Sequence, residues 1–327
     1  MSPEIQSQLV RLCSDYELEY GERFDHFYCP FLCVDEDVEL CLGHIVPDAF
    51  SASNKKTIVQ RADIDNFYGS VFEADFELVV NNRGASLEQI LTDPKLEQAL
   101  RPKLMVNGTP VRYYPFRGKK ASGHSRLQFE KSNGEVAEFV IAAPADNIVE
   151  SENWSFVVEK SFEISAMASL LKAAFLTMFD LLGYSYALSA AGLFLGHDLL
   201  GKFFREHRHI RRATLYSASE QFFRPFQNLV RPVLGNAPFL GTTEDKTVTI
   251  FHTTFGNNFA IGVYVRTNSD LHIVLTPAFD NPDAIPVFLK FLESPPNEVL
   301  AKTARYVESS GHWDVAPTSL PMHWPRV

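Results

Sequence analysis

Residues 164–200 form the longest apolar stretch of the chain, and Lys172 and Asp180 interrupt it. A run of that kind has to be covered by protein or by lipid. A membrane-crossing helix needs about 20 predominantly apolar residues. The uncharged part here, 181–196, is 16 residues long and contains Gly183, Ser185, Ser189 and Gly192. The expectation is therefore two buried helices broken near Gly183, and no membrane anchor. With 27 Phe and 46% hydrophobic residues in a chain of 327, a large aromatic-rich core is within reach. That length has room for two domains.

Around this stretch the pattern is mixed. Ile5, Leu9, Leu12 and Tyr16 recur at helical spacing over 3–20. Residues 38–46 read as a strand. Residues 60–78 read as a helix with Phe67, Val71, Ala74 and Leu78 on its apolar face, its start capped by Asp63 or Asp65. Residues 86–100 read as a further helix. Strand-like segments at 111–115, 126–129 and 137–142 are separated by turn signals, and 247–255, 259–265 and 271–275 repeat that pattern. Residues 288–292 read as helix, and the proline-rich tail from 317 as irregular. The fold class expected is α+β, with a small N-terminal module over 1–95 and a larger mixed helical and antiparallel-β domain over 96–327.

The net charge of −10 argues against a general polyanion binder. The positive charge is concentrated, however. Residues 101–131 hold eight Lys/Arg against one acid, Glu130, and a second cluster comprises Lys202, Arg205, Arg208, Arg211 and Arg212 against Glu206. Such stretches either grip a phosphate backbone or lie solvated on the surface.

Residue types that carry chemistry gather in 29–73. The four cysteines stand at 13, 29, 33 and 41. The opening residues show no basic segment followed by an apolar run, so a cytoplasmic chain is expected. Clustered cysteines in that setting read as metal ligands. Cys29, Cys33, Cys41 and His44 have the spacing C-x3-C-x7-C-x2-H and supply four ligands suited to tetrahedral zinc. Hydrolytic chemistry asks something else of His44: a free imidazole to activate water, beside a hard divalent cation. The two assignments of His44 exclude each other. Plain structural readings stand beside them, with Cys29 and Cys33 as buried thiols and Asn66 as a helix cap.

This segment resembles the HNH endonuclease family. His44-Ile-Val-Pro47-Asp-Ala-Phe50 looks like that family's first strand and its exit. Asp65-Asn66-Phe-Tyr-Gly69-Ser70-Val-Phe-Glu73 looks like its helix, and Cys29 and Cys33 look like the upstream cysteine pair. The similarity covers about 50 residues. It implies a ββα-metal module in which His44 is the general base, Asn54 buttresses it and Asn66 holds or orients the metal. Asn66, Ser70 and Glu73 share a face of a regular helix, so Glu73 would reach the same site. The implied catalytic cation is Mg²⁺ or Mn²⁺, with a structural Zn²⁺ on Cys29 and Cys33 that Cys41 or Asp65 completes. The chain departs from the pattern in three ways. Gly43 stands where the family carries a carboxylate, the second cysteine pair is replaced by Ala62 and Asp65, and the first pair is spaced by three residues.

The function expected from these residues is a metal-dependent HNH-type endonuclease hydrolysing phosphodiester bonds in DNA, with RNA as a second substrate class. The alternative is a non-catalytic, zinc-stabilised nucleic-acid- or protein-binding module. No membrane partner is expected.

Overall fold

Helix α1 (Pro3–Tyr20) begins where its sequence provides for it. Ser2 accepts from the Ile5 amide at 3.3 Å and Pro3 needs no donor. It ends at Gly21, whose left-handed backbone (φ 76°) lets its amide reach Glu17 O at 2.8 Å. Ile5, Leu12 and Tyr16 form its buried face.

The computed structural model describes residues 1–47, 56–73, 76–77, 89–90, 93–94, 97, 103–106, 108–111, 113–116, 125–130, 136–141, 154–157, 161–232, 247–252, 258–266, 271–277, 283–293, 298–307, 312–315 and 320–323. Asn54 lies outside these residues, as do Arg101, Arg112, Arg117, Lys119, Lys120 and Lys131 of the first basic stretch.

The architecture is α+β, with helices and antiparallel sheets. It divides into two compact units, 1–77 with 164–327 and 78–163. That division differs from a boundary at 95/96, because α1 and the strands after it pack with elements from beyond residue 164.

In the first unit, β1 (Tyr28–Cys29) pairs with β2 (Val34–Asp35), and β3 (Leu40–His44) pairs with β4 (Thr57–Arg61). Helix α2 (Ala62–Tyr68) follows β4 directly and runs into a wider π-turn, Gly69–Glu73. The buried residues are Ile64, Tyr68, Phe72 and Phe76. Phe67 is half-buried, and Ala74 and Leu78 lie outside the described residues. The second unit has β5 (Lys103–Val106), β6 (Thr109–Val111), β7 (Tyr113–Phe116), β8 (Ser125–Glu130), β9 (Val136–Ile141) and β10 (Trp154–Val157). They form two three-stranded sheets, ordered β10-β5-β6 and β7-β8-β9.

Helix α3 (Ser161–Ala187) is the core of the first unit, and every residue from 167 to 179 is buried. The stretch Met167–Ala187 is apolar and long enough to cross a membrane, but 78% of its apolar window is buried inside the protein. It breaks at Gly183 as expected (φ 59°, ψ −142°). Asp15 of α1 lies in the break and accepts from the Tyr184 amide at 2.6 Å, which caps the helix that resumes there. Only glycine fits, since a Cβ would lie 1.9 Å from the Asp15 carboxylate. Phe175 packs on Phe31 and Phe179, and Tyr184 on Tyr16, Phe24 and Tyr28. Each fully buried ring of this kind contributes about 1.5–3 kcal/mol.

After α3 come α4 (Ala190–Gly192), a π-helical segment Leu193–Gly201, α5 (Lys202–His207), α6 (Arg212–Phe223) and a 3₁₀ turn Arg224–Leu229. The strands that follow are β11 (Val230–Pro232), β12 (Thr247–His252), β13 (Asn258–Arg266), β14 (Leu271–Pro277), β15 (Glu298–Val307), β16 (His312–Val315) and β17 (Leu320–His323), with α7 (Ala284–Glu293) between β14 and β15. They build one antiparallel sheet ordered β11-β14-β13-β12-β15-β16, with β17 also on β15. Helix α7 packs on β13 and β14. The tail expected to be irregular thus supplies a strand, with Pro321 opposite Leu300 at the sheet's edge, where a missing amide is tolerated.

Candidate functional site

The β3–β4 hairpin presents two faces. Paired residues of an antiparallel ladder point the same way and successive residues alternate. Cys41 pairs with Gln60 and Gly43 with Ile58, so these four share one face; Leu42, Val59, His44 and Thr57 share the other. Strand β4 is buried on both faces from Ile58 to Arg61. Gln8 of α1 meets its backbone, accepting from Val59 N at 2.8 Å and donating to Thr57 O at 3.2 Å. Arg61 secures the junction with α2. Its guanidinium donates to both Asp63 oxygens, at 3.1 and 2.9 Å, and to Glu36. Burial opposes ionisation of Asp63, but Arg61 overcomes that and holds its carboxyl below the usual range. The helix cap position is Arg61, and Asp63 accepts from Ile64 N at 2.9 Å inside the first turn.

The face that carries Cys41, Gly43 and Gln60 meets a buried ion cluster. Lys172, only 1% exposed, reaches from the middle of α3 to Asp65 Oδ1 and Glu73 Oε1, each at 2.7 Å. Burial alone would lower the ammonium's pKa. The charges of Glu73 and Asp65, and the bonds to both, outweigh burial and hold it above its ordinary value. Cys41 Sγ lies 3.7 Å from Asp65 Oδ2, and burial together with that carboxylate pushes the thiol up to about 12. The π-turn explains why Glu73 joins Asp65. On a regular helix Glu73 falls on the side of Asn66 and Ser70. A turn with more residues per revolution retards the phase and carries Glu73 round to the side of Asp65.

Gly43 sits in the tightest part of this contact. A Cβ there would lie 2.2 Å from Gln60 Nε2 and 2.6 Å from Asp65 Oδ1. The Gln60 amide and the Asp65 carboxylate thus both lie against Gly43. The amide is buried, and neither its oxygen nor its nitrogen has a hydrogen-bond partner among the described residues.

The other residues singled out in the sequence lie elsewhere. His44 is half-buried at the end of β3, on the face of the hairpin away from Cys41 and Gln60. Cys29 is buried, its thiol pushed up to about 12 by burial. Cys33 follows in a tight turn with a left-handed backbone (φ 55°), its amide 2.8 Å from Cys29 O, and burial lifts its thiol to about 11. Asp35 closes this loop by accepting from the Asp25 and His26 amides at 2.7 and 3.1 Å. Among the described residues no three of His, Cys, Asp or Glu are gathered as a metal-holding group. Cys41, Asp65 and Glu73 are brought together around Lys172; Cys29, Cys33 and His44 are not part of that cluster.

Asn66 faces a different space. A cleft of about 480 Å³ runs beside α2, lined by Asp63, Asn66 and Ser70 on one side and by Phe204, Arg208 and His209 on the other. Asn66, Ser70, Arg208 and His209 are all exposed. The Arg208 guanidinium lies 5.5 Å from the centre of the Phe204 ring and donates to His209 Nε2 at 3.1 Å. Lys202, Arg205 and Arg211 are exposed on the same segment. Helix α6 begins at Arg212 with no side chain capping its first amides. In the sequence these basic residues read either as a phosphate grip or as a solvated surface. Their position opposite Asn66 and Ser70 depends on the packing of α5 beside α2, which has no local signal.

Compared with known proteins, the chain matches no family model, no curated protein and no solved structure.

Proposed function

We propose that this protein binds the phosphodiester backbone of nucleic acid, DNA foremost, through the cleft between α2 and residues 208–215, as a diverged relative of the HNH nucleases. One observation carries the reading: Arg208 and His209 stand across an open cleft from Asn66 and Ser70. A guanidinium, an imidazole, an amide and a hydroxyl are the groups that backbone phosphates accept from. The uncapped amides at the start of α6 and the neighbouring Lys202, Arg205 and Arg211 add positive potential, in a chain whose overall charge would otherwise repel DNA. Anion binding confined to one basic segment suits a net charge of −10.

A second reading, metal-dependent hydrolysis of DNA, is favoured by the order of elements. His44 ends the first strand of a hairpin that leads straight into the helix bearing Asn66, the order the HNH resemblance implies. In that reading His44 activates water, and Asn66 holds Mg²⁺ or Mn²⁺. The placement of Asp65 and Glu73 on Lys172, and of His44 on the opposite face of the hairpin, favours binding without hydrolysis.

Supercoiled plasmid incubated with the protein in Mg²⁺ or Mn²⁺ separates the two. A retarded but intact plasmid supports binding. Nicking that His44→Ala abolishes makes hydrolysis the function. No retardation and no nicking removes both readings.

A further inference from the structure

A divalent cation in an HNH-like module needs oxygen ligands that converge on an open point. Here two carboxylates converge, but on an ammonium. Lys172 Nζ is 2.7 Å from Asp65 Oδ1 and 2.7 Å from Glu73 Oε1. The lysine comes from the continuously buried run 167–179 of α3, where no charged side chain is expected without a specific partner. Close to Asp65, across Gly43, the buried Gln60 amide has no partner of its own among the described residues. Asp65 and Glu73 thus supply hard oxygen donors around one position, and Lys172 fills it.

We propose that Lys172 is a built-in cation that substitutes for a divalent metal ion between Asp65 and Glu73, and that removing its ammonium creates a divalent-cation site there. The π-turn that brings Glu73 alongside Asp65 serves this arrangement. Gly43 serves it as well, because a side chain at that position would displace Gln60 and Asp65. Lys172 belongs to α3, so the hairpin–helix module is closed by the same helix that forms the core of its unit. The wild-type protein then keeps its fold in chelator, and divalent ions do not stabilise it. This inference is independent of the cleft, which lies on another face of α2.

The test is thermal unfolding of the full chain, wild type and Lys172→Ala, in chelator and in millimolar Mg²⁺, Mn²⁺ or Ca²⁺. The wild-type Tm is expected to be the same in all four. The variant is expected to melt lower in chelator and to regain roughly 5–10 °C in at least one ion, the rise expected at about a hundred times Kd for a domain of this size. The triple variant Lys172→Met/Asp65→Asn/Glu73→Gln, which removes the charges together, is expected to fold and to show no ion-dependent rise. If Lys172→Ala does not fold in chelator, refolding from urea with Mn²⁺ becomes the readout. Native near-ultraviolet dichroism recovered only with Mn²⁺ supports the proposal. A wild-type Tm that rises with divalent ions, or a Lys172→Ala protein that no ion restores while the triple variant folds, overturns it.

Discussion

Lys172 Nζ lies 2.7 Å from Asp65 Oδ1, tying the middle of the core helix α3 to a residue 107 positions earlier on α2. Truncating only the lysine leaves two carboxylates facing each other with no counter-charge. Lys172→Met is therefore expected to cost about 3–5 kcal/mol of stability in urea unfolding, the usual cost of breaking a buried pair from one side. Neutralising all three groups is expected to recover most of that loss. A single variant within about 1 kcal/mol of wild type would show that the cluster does not support the fold.

The same pair sets an alkaline limit. The folded state holds the Lys172 ammonium above its ordinary 10.5. Its contribution is therefore complete below that pH and is lost as pH rises through the folded value. The stability difference between wild type and Lys172→Met, followed by urea unfolding from pH 8 upward, is expected to stay constant to about pH 10 and then to shrink. A difference that keeps growing above that range contradicts the assignment. Taking the difference between the two proteins removes the buried tyrosines; Cys41, whose thiol the Lys172 charge pulls down, does not cancel and is replaced by serine in both.

Position 43 has little room for a side chain. A Cβ there meets Gln60 Nε2 at 2.2 Å and Asp65 Oδ1 at 2.6 Å. Gly43→Ala is expected to destabilise by about 1–3 kcal/mol and Gly43→Asp by more, since it adds a third acid to the cluster. Gln60→Ala in the same chain is expected to relieve the alanine variant. Equal melting temperatures for wild type and Gly43→Asp would show that the contact yields freely.

At the break in α3, Gly183→Ala forces a methyl into a left-handed backbone and against the Asp15 carboxylate. The expected loss exceeds the roughly 1–2 kcal/mol of a left-handed alanine alone. Asp15→Ala, which removes only the acceptor for Tyr184 N, is expected to lose about 1 kcal/mol. Calorimetric melting of the two variants checks the order.

Local signals were legible where they are complete within one segment. The spacing of Ile5, Leu9, Leu12 and Tyr16 announces α1, and Gly183 marks the break in an apolar run. Strand β4 was missed, and its last two residues merged into the helix after it. Thr57-Ile-Val-Gln is buried on both faces and does not alternate, so its periodicity is silent. Strand β17 was missed because Pro321 argues against a strand everywhere except at an edge. The phase of α2 was misread because nothing in Gly69–Glu73 announces a π-turn, and one wide turn exchanges Glu73 from the Asn66 side to the Asp65 side. Lys172 was visible only as an oddity in an apolar stretch. Its partners, like the position of Arg208 opposite Asn66, come from chain packing across 99 residues or more.

The proposed function rests on the cleft, and the salt dependence of DNA affinity tests it most directly. Fluorescence anisotropy of a labelled duplex, titrated over a range of salt concentrations, gives the slope of log K against log salt. Each phosphate neutralised contributes about −0.9 to that slope. The wild type is expected to bind with a negative slope. Arg208→Ala is expected to weaken binding across all sequences and make the slope shallower by about 1, and Ser70→Glu to weaken it further by placing a negative charge in the cleft. Wild-type affinity that is absent, or that neither substitution changes, contradicts the account.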